Sequence, residues 1–146
     1  MELLYSPVNG EITNLENVND KMFAEKMLGD GIALIPNEDE FVSPIDGKVT
    51  MIYDTQHAIG ITTLEDTEIL IHIGIDTVDL KGIPFDTKVK VGDNVKKGDL
   101  LTVIDWKYIK ERGLDVIVPL IVMNKKVKQP HKEGKIRVGD KLLEIE

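Results

Sequence analysis

The chain of 146 residues has three histidines and no cysteine, so thiolate chemistry is excluded and imidazole chemistry can sit only at His57, His72 or His131. His72 lies in the stretch EILIHIGIDTVDLKGIPF, from Glu68 to Phe85. The stretch opens as a strand. Ile69, Ile71, Ile73 and Ile75 fall on one face at period two, and β-branched side chains suit a pleated surface. The other face carries Leu70, His72, Gly74 and Asp76: an imidazole, a glycine that clears space, then a carboxylate. His57 shares with Ile59 and Ile61 one face of a second expected strand. With Thr63, Leu64, Glu65 and Asp66 as a four-residue loop, Thr62 faces Thr67 and His57 falls directly across from His72. Opposed residues hold their Cβ atoms roughly 4.5–5.5 Å apart, so this register predicts two rings around one small ligand. A slip of one residue would send them to opposite faces.

A neutral imidazole can act as nucleophile, general base or metal ligand, and the plain alternative is a hydrogen-bonded core histidine. Thr55, two residues before His57, is placed to bond one of its ring nitrogens and fix the tautomer. The backbone carbonyl of Gly74 can do the same for His72. A catalytic zinc site typically needs three protein ligands, and neither His-x-His nor His-Glu-x-x-His spacing occurs. His131, in Gln129-Pro130-His131-Lys132-Glu133-Gly134, is expected in a surface turn among lysines. Phosphoryl transfer suits the pair better: one imidazole takes the group in line, and the second hydrogen-bonds its oxygens. Without a P-loop, a nucleotide fingerprint or a DFG-like aspartate, the expected donor is a protein.

Composition narrows the partners. Hydrophobic residues make up 42% and charged residues 30% of the chain, a globular balance for one domain over residues 1–146. The net charge of −8 disfavours nucleic acid, whose binding needs lysine and arginine on phosphates, and favours a partner with a basic face. The N-terminus lacks the basic and apolar regions of a signal peptide. The longest apolar run, Val116 to Met123, is interrupted by Pro119 and falls far short of the roughly 20 residues that span a bilayer. The expectation is a cytoplasmic protein with no direct membrane insertion.

The elements that must position the histidines are mostly strands. Ser6-Pro7-Val8-Asn9-Gly10-Glu11-Ile12 recurs as Ser43-Pro44-Ile45-Asp46-Gly47-Lys48-Val49. Val89-Lys90-Val91-Gly92-Asp93-Asn94-Val95 recurs as Ile136-Arg137-Val138-Gly139-Asp140-Lys141-Leu142. Asn-Gly and Asp-Gly are tight-turn signals, so the chain reads as a duplicated β-motif. Strands are expected over 32–35, 47–53, 100–104, 115–123 and 141–145. Helix is confined to 18–28, capped by Asp20 and stopped by Gly29 and Gly31, and to one turn over 107–113. The fold class is all-β: an antiparallel β-sandwich or barrel-sandwich hybrid with a duplicated motif and one or two short helical turns.

Taken together, Phe23-Ala24-Glu25-Lys26 to Gly29-Asp30-Gly31, Val42-Ser43-Pro44-Ile45-Asp46-Gly47, His57-Ala58 and the run from His72 to Gly82 resemble the glucose-class enzyme IIA of the bacterial phosphoenolpyruvate-dependent sugar phosphotransferase system. The resemblance covers nearly the whole chain. It implies that His72 accepts a phosphoryl group from phosphorylated HPr and passes it to a cysteine on a IIB domain. His57 is then the second active-site histidine, needed for onward transfer, with Thr55 and the Gly74 carbonyl orienting the rings. Asp20 and Asp76 match acidic positions that meet an arginine of HPr. Phe23, Tyr53, Ile59, Leu70 and Ile73 occupy the apolar ring of the family's shallow site, several of them aliphatic where relatives often carry phenylalanine.

No cofactor is expected to be required, although the pair His57/His72 could take up adventitious zinc. The chain opens almost at its first strand, without the amphipathic extension that some relatives use at the membrane; a free-standing protein and a domain of a larger permease both fit. The sugar is set by the membrane subunit. Two other classes share some of these features. A biotinyl or lipoyl carrier is suggested by Val91-Gly92-Asp93 and Lys97-Gly98-Asp99, but those domains' exposed lysine flanked by methionine or acidic residues at a turn tip is missing, since Met123-Asn124-Lys125 follows a strand expected to be buried. A zinc hydrolase on a similar duplicated motif would hold stoichiometric metal.

Overall fold

The structure, a computed structural model, describes residues 2–128 and 133–146. His131 lies outside the described residues. In chain order the elements are β1 (Glu2–Tyr5), β2 (Gly10–Thr13), α1 (Lys21–Ala24), β3 (Asp30–Pro36), β4 (Glu40–Val42), β5 (Gly47–Ile52), β6 (Ala58–Thr62) and β7 (Glu68–His72). There follow β8 (Phe85–Thr87), β9 (Asn94–Val95), β10 (Leu100–Ile104), α2 (Trp106–Glu111), β11 (Val118–Val122), β12 (Val127–Lys128), β13 (Gly134–Ile136) and β14 (Lys141–Ile145). Single 3-10 turns cover Leu15–Asn17 and Thr77–Leu80.

An eight-stranded sheet runs in the order β13-β2-β3-β11-β7-β6-β5-β9, with two three-stranded sheets, β1-β14-β12 and β4-β10-β8. Every pairing is antiparallel. The main core gathers Ile59, Ile61, Ile69 and Ile71 with Leu4, Phe41, Leu101 and Leu143 of the small sheets. This is the expected antiparallel sandwich. The central strands bury both faces, because Ala33, Ala58, Leu70 and Ile121 enter a second cluster with Leu15, Val18 and Phe23. The 3-10 turn and α1 thus cover the outer face of the large sheet beneath the histidines.

The helix expected over 18–28 shrinks to α1. Asp20 is its cap, its carboxylate accepting from the Met22 amide at 2.9 Å, but Lys26 takes a left-handed φ of 58° and ends the helix before Gly29. The strand expected over 115–123 starts only at Val118.

The duplication is real but its turns pair differently. The Ser6 amide donates to the Asp140 carbonyl at 2.8 Å and the Gly139 amide to the Ser6 carbonyl at 3.0 Å. Ser43 makes the same two bonds with Asp99 and Gly98, at 2.8 and 2.9 Å. The Asn9 and Asp46 side chains accept from Val138 and Lys97 amides. The counterpart of Val138-Gly139-Asp140 is therefore Lys97-Gly98-Asp99, not Val91-Gly92-Asp93, which bonds instead to Val49. All three turns put an aspartate carboxylate on the amide three residues back, so local sequence alone could not separate them.

Candidate functional site

The two histidines meet, but in a different register from the expected one. β6 pairs with β7 as Ala58↔His72, Ile59↔Ile71 and Thr62↔Glu68, one residue off. The hairpin loop has three residues, not four: the Thr63 amide donates to the Thr67 carbonyl, the Asp66 amide to the Thr63 carbonyl, and Asp66 adopts φ 60°. A turn followed by a left-handed residue closes a three-residue loop, one residue shorter than expected, and so shifts the ladder by one. His57 is thus opposite Ile73, whose amide donates to its carbonyl at 2.7 Å.

Strict alternation would now place the rings on opposite faces. It does not apply, because β6 begins only at Ala58 and Gln56 turns the chain with φ 61°. The ring of His57 reaches over the hairpin end, 5.0 Å between centroids from that of His72 and nearly perpendicular to it.

Each ring is held through Nδ1. His72 Nδ1 lies 2.8 Å from the Gly74 carbonyl, and His57 Nδ1 lies 2.7 Å from the Thr55 hydroxyl. A carbonyl can only accept, so His72 carries its proton on Nδ1 and leaves the Nε2 lone pair free. Both rings are held neutral. Burial, then the neighbouring His72, lowers the pKa of His57 to about 4. Burial also lowers that of His72, opposed by the Gly74 carbonyl and by the charges of Asp20 and Asp76.

The bend after β7 explains how Gly74 reaches back. By continuation of the β7–β11 register, His72 would face Pro119, which has no amide to donate, and the ladder stops at Ile71↔Leu120. Gly74 then takes φ 77°, and the Ile75 amide turns to the Asp115 carbonyl at 3.1 Å.

The expected apolar ring is only partly at the surface. Phe23 is buried, its ring 4.9 Å from that of His72, and Tyr53 stands edge-on to His57 at 5.0 Å with 41% of its surface exposed. Ile59 and Ile73 are fully buried in the main core, and Leu70 is buried in the second cluster. None of these three can be part of a docking surface; the register shift put Ile59 on the core face, and the strand end left Ile73 there. Exposed apolar groups come instead from Met22 on α1 and Val78 on the 3-10 turn after His72. Their positions beside Phe23 and Asp76 were the available signal. Asp20 is half-buried and committed to its cap, whereas Asp76 is exposed, with φ 62°.

A cavity of about 980 Å³ lies elsewhere, lined by Glu2, Tyr5, Lys48, Leu64 and Lys97 at the far end of the β6–β7 hairpin. Among the described residues no group of three or more His, Cys, Asp or Glu side chains converges, and no helix is long and apolar enough to cross a membrane.

A family model described as phosphoenolpyruvate-dependent sugar phosphotransferase system, EIIA 1, matches residues 2–128. The chain is 41% identical over 143 residues, 97% of its length, to the PTS system glucose-specific EIICBA component of Staphylococcus carnosus, of which the match covers 21%. It is 46% identical over 147 residues to the PTS system beta-glucoside-specific EIIBCA component of Bacillus subtilis, 24% of that protein. The chain therefore spans a quarter or less of these relatives. The PTS system glucose-specific EIIA component of Halalkalibacterium halodurans is 42% identical over 123 residues, 84% of this chain and 71% of that protein. The solved structure of glucose permease IIA from Mycoplasma capricolum superposes with a TM-score of 0.92 at 36% identity, over 97% of this chain and 94% of that one. With the histidine pair, the sandwich and these matches in agreement, the chain belongs to the EIIA 1 family of the phosphoenolpyruvate-dependent sugar phosphotransferase system.

Proposed function

We propose that this chain is a phosphoryl carrier that accepts the group from phosphorylated HPr on His72 Nε2 and delivers it to a cysteine of a IIB domain, in the cytoplasm. The observation that carries the proposal is the Nδ1 contact of His72 with the Gly74 carbonyl, which leaves Nε2 of a neutral ring as the nucleophile. In the uptake step the Nε2–P bond forms as the donor N–P bond breaks, and the donor nitrogen keeps the electron pair. The Nδ1 proton stays on His72, so the phosphorylated ring is cationic and leaves readily in the next transfer.

His57 stabilises the phosphoryl group in this scheme. The Thr55 hydroxyl donates to its Nδ1, the ring proton sits on Nε2, and that N–H donates to a phosphoryl oxygen. Asp20 and Asp76 give the rim a negative field for an arginine of HPr, and Met22, Tyr53 and Val78 supply its apolar contacts. The cycle needs no cofactor; zinc bound at His57 and His72 would be adventitious and inhibitory. Relatives are named as glucose-specific, glucoside-specific and beta-glucoside-specific, and the sugar would be set by a membrane subunit.

The test is labelling of the chain by radioactive phospho-HPr. An acid-labile, base-stable phosphate in the wild type and none in His72→Gln are expected; equal labelling of both would exclude His72 as the acceptor.

A further inference from the structure

The carbonyl that fixes the tautomer of His72 belongs to the one residue in the bend with a left-handed φ that no side chain could share. A Cβ on Gly74 would stand 2.5 Å from Thr77 Cγ2 and 3.0 Å from the Asp115 carbonyl oxygen. Both neighbours also hold its flanking peptides. On the N-terminal side, the Thr77 hydroxyl donates to the Ile73 carbonyl. On the C-terminal side, the Asp115 carbonyl accepts from the Ile75 amide. In a trans peptide the N–H and C=O point in opposite directions. Tying the Ile75 amide to Asp115 therefore turns the Gly74 carbonyl, in the same peptide unit, the other way, onto His72. Asp115 is itself shaped by its carboxylate, which accepts from the Ile117 amide at 3.0 Å. Thr77 is fully buried, and its hydroxyl and the Asp115 carboxylate hydrogen-bond backbone groups, not an imidazole.

We infer that Thr77 and Asp115 are positioning residues that set the His72 tautomer by clamping the two peptide units on either side of Gly74. With the clamp in place, the Gly74 carbonyl demands a proton on Nδ1 and the nucleophilic lone pair is confined to Nε2. With it released, the carbonyl turns away, the proton is free to move to Nε2, and that tautomer cannot attack. The consequence for phosphoryl uptake rests on the carrier reading above; the tautomer itself does not.

The experiment compares wild type, Thr77→Val and Thr77→Ser as full chains, by long-range ¹⁵N–¹H correlation of the imidazoles and by the kcat/KM of uptake from phospho-HPr. Thr77→Val keeps the shape and loses the donor. Its His72 nitrogens are expected to move toward the averaged values of two exchanging tautomers while those of His57 stay in place, and uptake to fall about 10- to 100-fold. Thr77→Ser should restore both. Asp115→Ala should shift His72 the same way by less, and it decides the question should Thr77→Val not fold. A folded variant whose His72 keeps its Nδ1–H signature, or a serine variant as impaired as the valine one, overturns the assignment. A wild type that phospho-HPr does not label would sink the carrier reading while leaving the tautomer result standing.

Discussion

At the tip of the β6–β7 hairpin Thr63 and Thr67 are buried, and their hydrogen-bonding groups are satisfied within the fold. The Thr67 amide donates to the Thr63 hydroxyl, the Thr67 hydroxyl to Glu2, and Asn124 bridges the Glu68 amide and the Asp66 carbonyl. Burial would raise the pKa of Glu2, but hydrogen bonds from Thr67 and Thr63 and the charge of Lys125 bring it below the ordinary carboxylate value. At the mouth of the same hairpin, about 14 Å away at the rise of a strand, His57 and His72 are each bonded on one nitrogen only. Among the described residues no protein group bonds either Nε2. The two ends share a ladder, and each turns on left-handed backbone, at Asp66 in the tip and at Gln56 and Gly74 in the mouth. They differ in what is left over: the tip closes its polar network, as stability requires of buried groups, and the mouth leaves two ring nitrogens for a ligand.

The contrast breaks most sharply at the mouth. His57→Gln is expected to keep labelling by phospho-HPr and to slow transfer to IIB by about 100-fold or more, whereas His72→Gln loses labelling itself. Equal defects in both would erase the division of labour between the rings. Next comes Gly74→Ala, which forces a Cβ onto Thr77 at φ 77°. A loss of about 2–3 kcal/mol in urea-melt stability, together with lost uptake, is the predicted result.

Acid should act through the mouth as well. The pKa of His57 is depressed in the folded state to about 4, so as pH falls below about 6.5 the unfolded chain takes the proton first and stability is lost until about pH 4. That loss is on the order of 3 kcal/mol, adds to one of the same sign from His72, and should be largely absent in His57→Gln. Trp106, the single tryptophan and a buried one, can report the urea midpoints at pH 7.0, 5.5 and 4.5.

The smallest effect belongs to the tip. Thr67→Val removes one hydrogen bond to Glu2 and should cost about 1 kcal/mol, with uptake and transfer unchanged. A transfer defect in that variant would mean that the two ends are not independent.

Much of this was legible in the residues. The alternation in EILIH, the Asn-Gly and Asp-Gly turns and the two repeats suffice for an antiparallel β-fold, and Thr55 and Gly74 stand two residues from their histidines, where local geometry brings them together. The length of α1 was not legible, because Lys26 carries no sign of its left-handed backbone. Nor was the partner of each Gly-Asp turn, since three turns share one local bonding pattern and only packing against Ser6, Ser43 or Val49 tells them apart.

The residue order determined which groups are available: two imidazoles on neighbouring strands, a hydroxyl and a glycine carbonyl to hold them, and a negative rim. Tertiary structure decided how they meet. The strand register came from one left-handed residue in a loop, and the rings converge because β6 stops at Ala58 and β7 loses its partner at Pro119. Whether Ile59 and Ile73 face core or partner was settled by the same two events, since a period-two pattern assigns faces only while the ladder runs unbroken.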